Sequence, residues 1–322
     1  MRRPIWLAVP LLCIGAIGIA HAEFPDKPIT MIVPFPAGGP TDALARSIGD
    51  ALGKELKTSI IVDNRGGAGG TLATTVAASS KPDGYTIFFA TTGTMAINPA
   101  LYKTSLKVDP LKAFTPIGAV ASAANVFVVA KDAPYKNVKE LIAAAKANPG
   151  ALTFASSGNG GVIHLTGEQF KNASGLQISH IPYKGSAPAM TDLVANRVTM
   201  MFDVVPGSLP FIKGGRLKAL AVTSNRRVEA LPDVPTMAEA GVPNFEATSW
   251  FGIVAPQGTP QPLVSKLHDA LQKALGSQEF KKQMSALGSA PMPGSVQDFT
   301  RILQQDTVKW AGLVKSSGAT ID

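Results

Sequence analysis

Cysteine is almost missing from this chain. The single cysteine among 322 residues, Cys13, lies inside an apolar stretch running from about Trp6 to Ala20. Arg2 and Arg3 precede that stretch, and Ala20-His21-Ala22 closes it with the small residues that a signal peptidase reads. Residues 1–22 are therefore expected to be a signal peptide cut near Ala22, which leaves an exported chain with no disulfide, thiolate nucleophile or cysteine metal site. Leu12, rather than a small residue, precedes Cys13, which argues against a lipid-anchored cysteine. Long hydrophobic runs are also lacking. The leader, at about 15 residues and interrupted by Pro10, is shorter than the roughly 20 needed to span a bilayer, and no second run follows.

Charge is sparse as well, with 16% of the residues ionisable as Asp, Glu, Lys or Arg. The basic residues are dispersed and not interleaved with stacking aromatics, so no nucleic-acid partner is expected. Losing Arg2 and Arg3 with the leader lowers the formal charge from +8 to +6, a mild field that would recruit small anions. The motifs of several enzyme classes are missing: there is no G-x-S-x-G elbow, no H-E-x-x-H, no GK[ST] ending and no G-x-G-x-x-G spacing. A secreted hydrolase of carboxylate esters is the rival reading, and it lacks a nucleophile. His164 and Glu168, four apart, read as a packing or surface pair, and His180 and His268 as structural or exposed. No metal and no organic cofactor is expected.

What the chain does have is a strand–glycine–helix junction repeated in its two halves. Ile29, Met31, Ile32, Val33 and Phe35 read as a buried strand. Gly38 and Gly39 follow in a loop, with Thr41 as the expected N-cap, and Leu44, Ile48, Leu52 and Leu56 form one helical stripe. The second copy has a strand at Leu152–Ala155, the polar loop Ser156-Ser157-Gly158-Asn159-Gly160-Gly161, and a helix from Val162. Unpaired N–H groups and the helix dipole make each junction an anion cradle that suits a carboxylate. Two such cradles predict a cleft in which each half of the chain holds one end of a small acid. Thr91 and Thr92 end a strand at Tyr85–Ala90, where open α/β sheets bind ligands. Asp203 closes another strand, where it binds an ammonium, braces a loop or simply ends the strand. About 300 mature residues suggest two domains of alternating strand and helix.

Several stretches together resemble the tripartite tricarboxylate transporter substrate-binding family, the Bug or TctC-like proteins. They are Pro25 to Arg46, Val62-Asp63-Asn64-Arg65-Gly66-Gly67-Ala68-Gly69-Gly70, Lys81 to Ile87, Ile97 to Tyr102, His180 to Val198, the run LKALAVTS with Arg226-Arg227, and LPDVPTMAEAGVPNFE with Trp250-Phe251-Gly252. The resemblance implies an α/β, two-lobed periplasmic-binding-protein (type II, flytrap) architecture with crossing hinge strands. The first lobe would be residues 23–122 plus 247–322, and the second 123–246. It also implies an extracytoplasmic, periplasmic receptor, monomeric, that delivers a small carboxylate to membrane transporter subunits. Signalling to a sensor kinase is the alternative. The ligand residues it implies are Phe35, Ala37, Gly38, Gly39, Thr41 and Asp42 in the first loop and Ser156, Ser157, Gly158, Asn159 and Gly160 in the second. Thr91 and Thr92 are added with hydroxyls left available, and Asp203 as a residue that can meet an amine.

Overall fold

The strand β1 (Ile29–Val33) buries both of its faces. Ile29, Met31 and Val33 lie in one apolar cluster, while Ile32 enters another on the opposite side, as a strand of a parallel sheet must. The computed structural model describes residues 23–319 and 321, so the expected signal peptide, Cys13 included, falls outside the described residues. After β1 come α1 (Pro40–Leu56), β2 (Ile60–Asn64), α2 (Thr71–Ala78), β3 (Thr86–Thr91), α3 (Asn98–Leu101), α4 (Pro110–Ala113) and β4 (Phe114–Ala130). The chain then builds α5 (Val138–Ala147), β5 (Thr153–Ser156), α6 (Val162–Ser174), β6 (Ser179–Pro182), α7 (Ser186–Val194), β7 (Met200–Val204), α8 (Val205–Lys213) and β8 (Leu217–Val222). It closes with β9 (Thr248–Pro256), α9 (Gln261–Gly276), α10 (Gln278–Ala286), β10 (Ser289–Pro291) and α11 (Val296–Ser317).

Leu44, Ile48, Leu52 and Leu56 are all buried on one face of α1, as their spacing predicts. In α9 the buried stripe is Val264, Leu267, Leu271 and Leu275; Leu263 is only half-buried. Three local expectations are corrected. Phe35 lies beyond β1, which ends at Val33. Gly39, not Thr41, is the N-cap of α1, because Pro40 takes the first helical position, where its missing N–H costs nothing. Asp203 sits within β7 rather than after it, since the strand continues to Val204.

The strand order is β2-β1-β3-β9-β4-β7-β5-β6, with β8 and β10 also paired to β4. Strand β4, 17 residues long, serves both ends of this order. Its first part, Phe114 to Ala124, runs antiparallel to β9, and its second part, from Asn125, runs antiparallel to β7 and β8.

Strand direction follows from these registers. Strands β1 and β3 are parallel, β3 opposes β9, and β9 opposes β4, so β1 and β3 point the way β4 does, toward its crossing at Asn125. Thr91, at the end of β3, pairs with Phe251, which pairs in turn with Ala121, close to that crossing. On the other side β7 opposes β4, and Val204 at its end pairs with Asn125. Strands β5 and β6 are parallel to β7. The carboxyl ends of β1 and β3 therefore face those of β5, β6 and β7 across one junction.

Two segments tie the sides together. Ile97, Leu101, Trp310 and Val314 join Phe127, Phe154, Phe170 and Phe202 in one core. The other end of α11 places Phe299 and Leu303 with Phe88 and Trp250 on the first side. Residues 93–102 and α11 thus pack into the same core as β4, β5 and β7.

Candidate functional site

Gly38, in the turn after β1, adopts φ +82°, a conformation that a side chain strains. Gly39 caps α1 in an extended conformation. Asp42, third residue of the helix, reaches back to accept the Gly38 N–H at 2.9 Å and is met by Arg46 Nε at 3.0 Å and Asn64 Nδ2 at 3.0 Å. Asn64 Nδ2 also donates to the Phe35 carbonyl at 3.0 Å. Burial alone would raise the Asp42 pKa, but the bonds from Arg46, Gly38 and Asn64 outweigh it and hold the carboxyl below its ordinary range. The Asp42 side chain is thereby committed to the shape of the loop. Among the described residues the N–H groups of Ala37, Gly39, Thr41 and Asp42 find no acceptor in the chain, as the first turn of a helix requires.

The second loop repeats this construction with different chemistry. Gly160 lies at φ +75° and Gly161 caps α6 in an extended conformation. His164, third residue of its helix, accepts the Gly160 N–H at Nδ1, 2.8 Å away. The sequences Gly38-Gly39-Pro40-Thr41-Asp42 and Gly160-Gly161-Val162-Ile163-His164 are superposable in role, a signal that a search for catalytic motifs passes over. Ser156 Oγ donates to the Gly158 carbonyl at 2.8 Å and accepts the Gly158 N–H at 3.2 Å. His180 Nε2 stands 2.6 Å from Ser156 Oγ. The rings of His164 and His180 stack at 3.8 Å between centroids. Burial lowers the pKa of both, taking His180 to about 3 with His164 as the next cause. The N–H groups of Gly161, Val162 and Ile163 have no acceptor in the chain among the described residues. Ser157 is half-buried and Asn159 exposed.

Thr91 and Thr92 lie at the junction, but their hydroxyls are satisfied within the chain, contrary to expectation. Thr92 Oγ1 accepts the Trp250 N–H at 2.8 Å, and Thr91 Oγ1 accepts the Thr94 N–H at 3.2 Å. Both residues are buried at the end of a central strand, where a hydroxyl must find a partner. Asp203 is fully buried, with its carboxylate accepting from Ser186 Oγ at 3.1 Å and Ser208 Oγ at 3.2 Å. Burial raises its pKa to about 6 against the opposing effect of those bonds. Sequence reasoning passed over Asn64, Leu101 and Ser186, and gave His164 and His180 no part in the loop. Among the described residues no helix is long and apolar enough to cross a membrane, and no three His, Asp or Glu side chains converge as metal ligands.

Residues 44–319 match the family described as "Tripartite tricarboxylate transporter family receptor". Protein BugT of Bordetella pertussis is 35% identical over 320 residues, covering 98% of this chain and 98% of its own. A solved protein of R. palustris, with adipate, is 37% identical with a TM-score of 0.87, covering 92% of this chain and 99% of that one. MatC of Rhodopseudomonas palustris, with bound malate, is 32% identical with a TM-score of 0.82, covering 90% of this chain and all of its own.

Proposed function

The chain belongs to the tripartite tricarboxylate transporter receptor family, and from that premise we propose that it captures a small dicarboxylate at the junction of its sheets and delivers it to membrane transporter subunits. One observation carries this reading: loops with unpaired N–H groups end the parallel strands on both sides of a single junction. A dicarboxylate has an anionic group for each. Charge-assisted hydrogen bonds contribute about 1.5–3 kcal/mol apiece, so a few at each end reach micromolar affinity, about −8 kcal/mol. Adipate and malate in the solved relatives are acids of this class.

In this reading residues 23–122 with 247–322 form one lobe and 123–246 the other, and the protein acts as a periplasmic monomer without turnover. Ala37, Gly39, Thr41 and Asp42 hold one carboxylate through main-chain N–H groups, with Gly38 turning the loop and Phe35 at its edge. Ser157, Asn159 and the N–H groups of the following helix end hold the other, in a loop that Gly158 and Gly160 shape. Ser156, Thr91, Thr92 and Asp203 stiffen the walls. Closure follows from a ligand that touches both lobes, since only differential binding shifts a two-state equilibrium.

The test is a thermal-shift and calorimetric screen of refolded, ligand-stripped protein against mono-, di- and tricarboxylic acids, adipate and malate included. A concentration-dependent rise in melting temperature for diacids, without their consumption, is the expected result. A response confined to uncharged solutes, or turnover of an ester, overturns the reading.

A further inference from the structure

The second loop is fixed by a group that can change its hydrogen-bonding sense. His164 Nδ1 accepts the N–H of Gly160, whose φ of +75° makes it the turning point of the loop. An imidazole accepts at Nδ1 only while that nitrogen is unprotonated, so the proton of neutral His164 resides on Nε2. The first loop makes the same bond with Asp42, a carboxylate that stays an acceptor down to strongly acidic pH. The two ends of the site are therefore built alike but differ in their response to protons.

We infer that His164 is a positioning residue that latches the second ligand loop in its neutral form and releases it on protonation, so that ligand affinity falls with acidification. This deepens the carboxylate-receptor reading and rests on it for the ligand arm only. A proton added at Nδ1 places a donor against the Gly160 N–H, and both lose their partner. The charged and titratable groups facing His164 are few. His180 of β6 stacks on it at 3.8 Å, and its own helix places Glu168 Oε1 3.9 Å from Nε2, with Lys171 Nζ bonded to Glu168 at 3.0 Å. From β5 it meets the uncharged ring of Phe154. Lys171 offsets the attraction of Glu168, and His180 cannot share a second positive charge at that stacking distance. Burial, the largest influence, moves the His164 pKa below the ordinary imidazole value of 6.5. The release accordingly falls below the usual imidazole range.

The experiment has two arms on the mature protein. In the first, without ligand, nitrogen and carbon NMR of the His164 imidazole and the Gly160 amide are followed from about pH 8 down through and below the ordinary imidazole pKa of about 6.5, until the His164 ring shifts report its protonation. His164 is expected as the Nε2–H tautomer, with the Gly160 amide shift following its titration. In the second, adipate affinity is measured for wild type, His164→Asn and His164→Leu over the same range. Asn carries its Oδ1 where the histidine carries Nδ1 and does not titrate, so His164→Asn should bind within a few-fold of wild type at neutral pH and lose the acid-dependent weakening. His164→Leu should bind about tenfold or more weakly throughout, the loss of one such bond. Protonation of adipate is common to all three proteins and cancels in the comparison. A Gly160 amide indifferent to the imidazole, or a His164→Asn protein that keeps the wild-type acid dependence, overturns the latch, and neither readout depends on the leucine variant folding. A Gly160 amide that tracks His164 in a protein that binds no carboxylate supports the latch and sinks the ligand reading instead.

Discussion

Leu101 rests directly on Gly160. A Cβ on the glycine would lie 1.7 Å from Leu101 Cδ2, in addition to the strain of φ +75°. The segment that follows Thr91 and Thr92 thus packs against the loop after β5 at its turning point. Gly160→Ala must displace either Leu101 or the loop. We expect a stability loss of about 1–3 kcal/mol from overpacking and at least tenfold weaker adipate binding, about 1.4 kcal/mol. Gly38→Ala has the strain of φ +82° but no atom within 4 Å of the new carbon, so its stability cost should be smaller, about 1 kcal/mol. Denaturant titrations of both variants check the order; an equal or reversed order contradicts the Leu101 contact.

Asp42→Ala removes the acceptor of Gly38 N–H and one of the two acceptors of Asn64 Nδ2. The expected cost is about 1–3 kcal/mol, the usual penalty for buried groups left without partners. Affinity for adipate should fall more than that of Arg46→Ala, because Arg46 is half-exposed and its loss leaves Asp42 still bonded to Gly38 and Asn64. Paired calorimetric titrations decide between them, and equal losses would mean that charge rather than loop shape matters.

Asp203 should make stability fall as pH rises. Its folded pKa of about 6 exceeds the reference 3.8, so the native state holds a proton that the unfolded chain has released between those values. The stabilisation is complete below 3.8 and is lost as pH rises through about 6. Relative to Asp203→Asn, which does not titrate, wild type should lose about 3 kcal/mol between acidic and neutral solution, at about 1.4 kcal/mol per pKa unit. The difference between the two proteins cancels His164 and His180, whose lowered pKa values act in the opposite direction. Urea denaturation at a series of pH values gives the answer; a pH-independent difference would place the Asp203 pKa at its ordinary value.

Trp310 is fully buried with Phe127, Phe154 and Phe170, while the same helix carries Phe299 and Leu303 into the other core. Trp310→Ala should cost about 3–5 kcal/mol and weaken the tie between the two cores. Differential calorimetry is expected to show one wild-type transition separating into two in the variant. A single transition of undiminished cooperativity would mean that β4 and β9 alone couple the two cores.

Much of this molecule is written locally. The four-residue stripe from Leu44 to Leu56 defines α1, the run Ile29–Val33 a buried strand, and the glycines at 38–39 and 160–161 the two helix entries, because dihedral preference and hydrophobic period act over a few residues. Family resemblance added the architecture and the two loops as ligand sites. What the sequence alone could not determine depends on atoms distant along the chain. That Asp42 faces Asn64, that Thr92 is bonded to Trp250, that Asp203 is sealed beneath Ser186 and Ser208, and that Leu101 covers Gly160 were decided by strand register and by the crossing of β4. His164 illustrates the division. Its spacing from Glu168 was legible, but its task of holding Gly160 while stacked on His180 exists only once β5, β6 and α6 have packed together, since a hydrogen bond's partner is chosen by tertiary proximity.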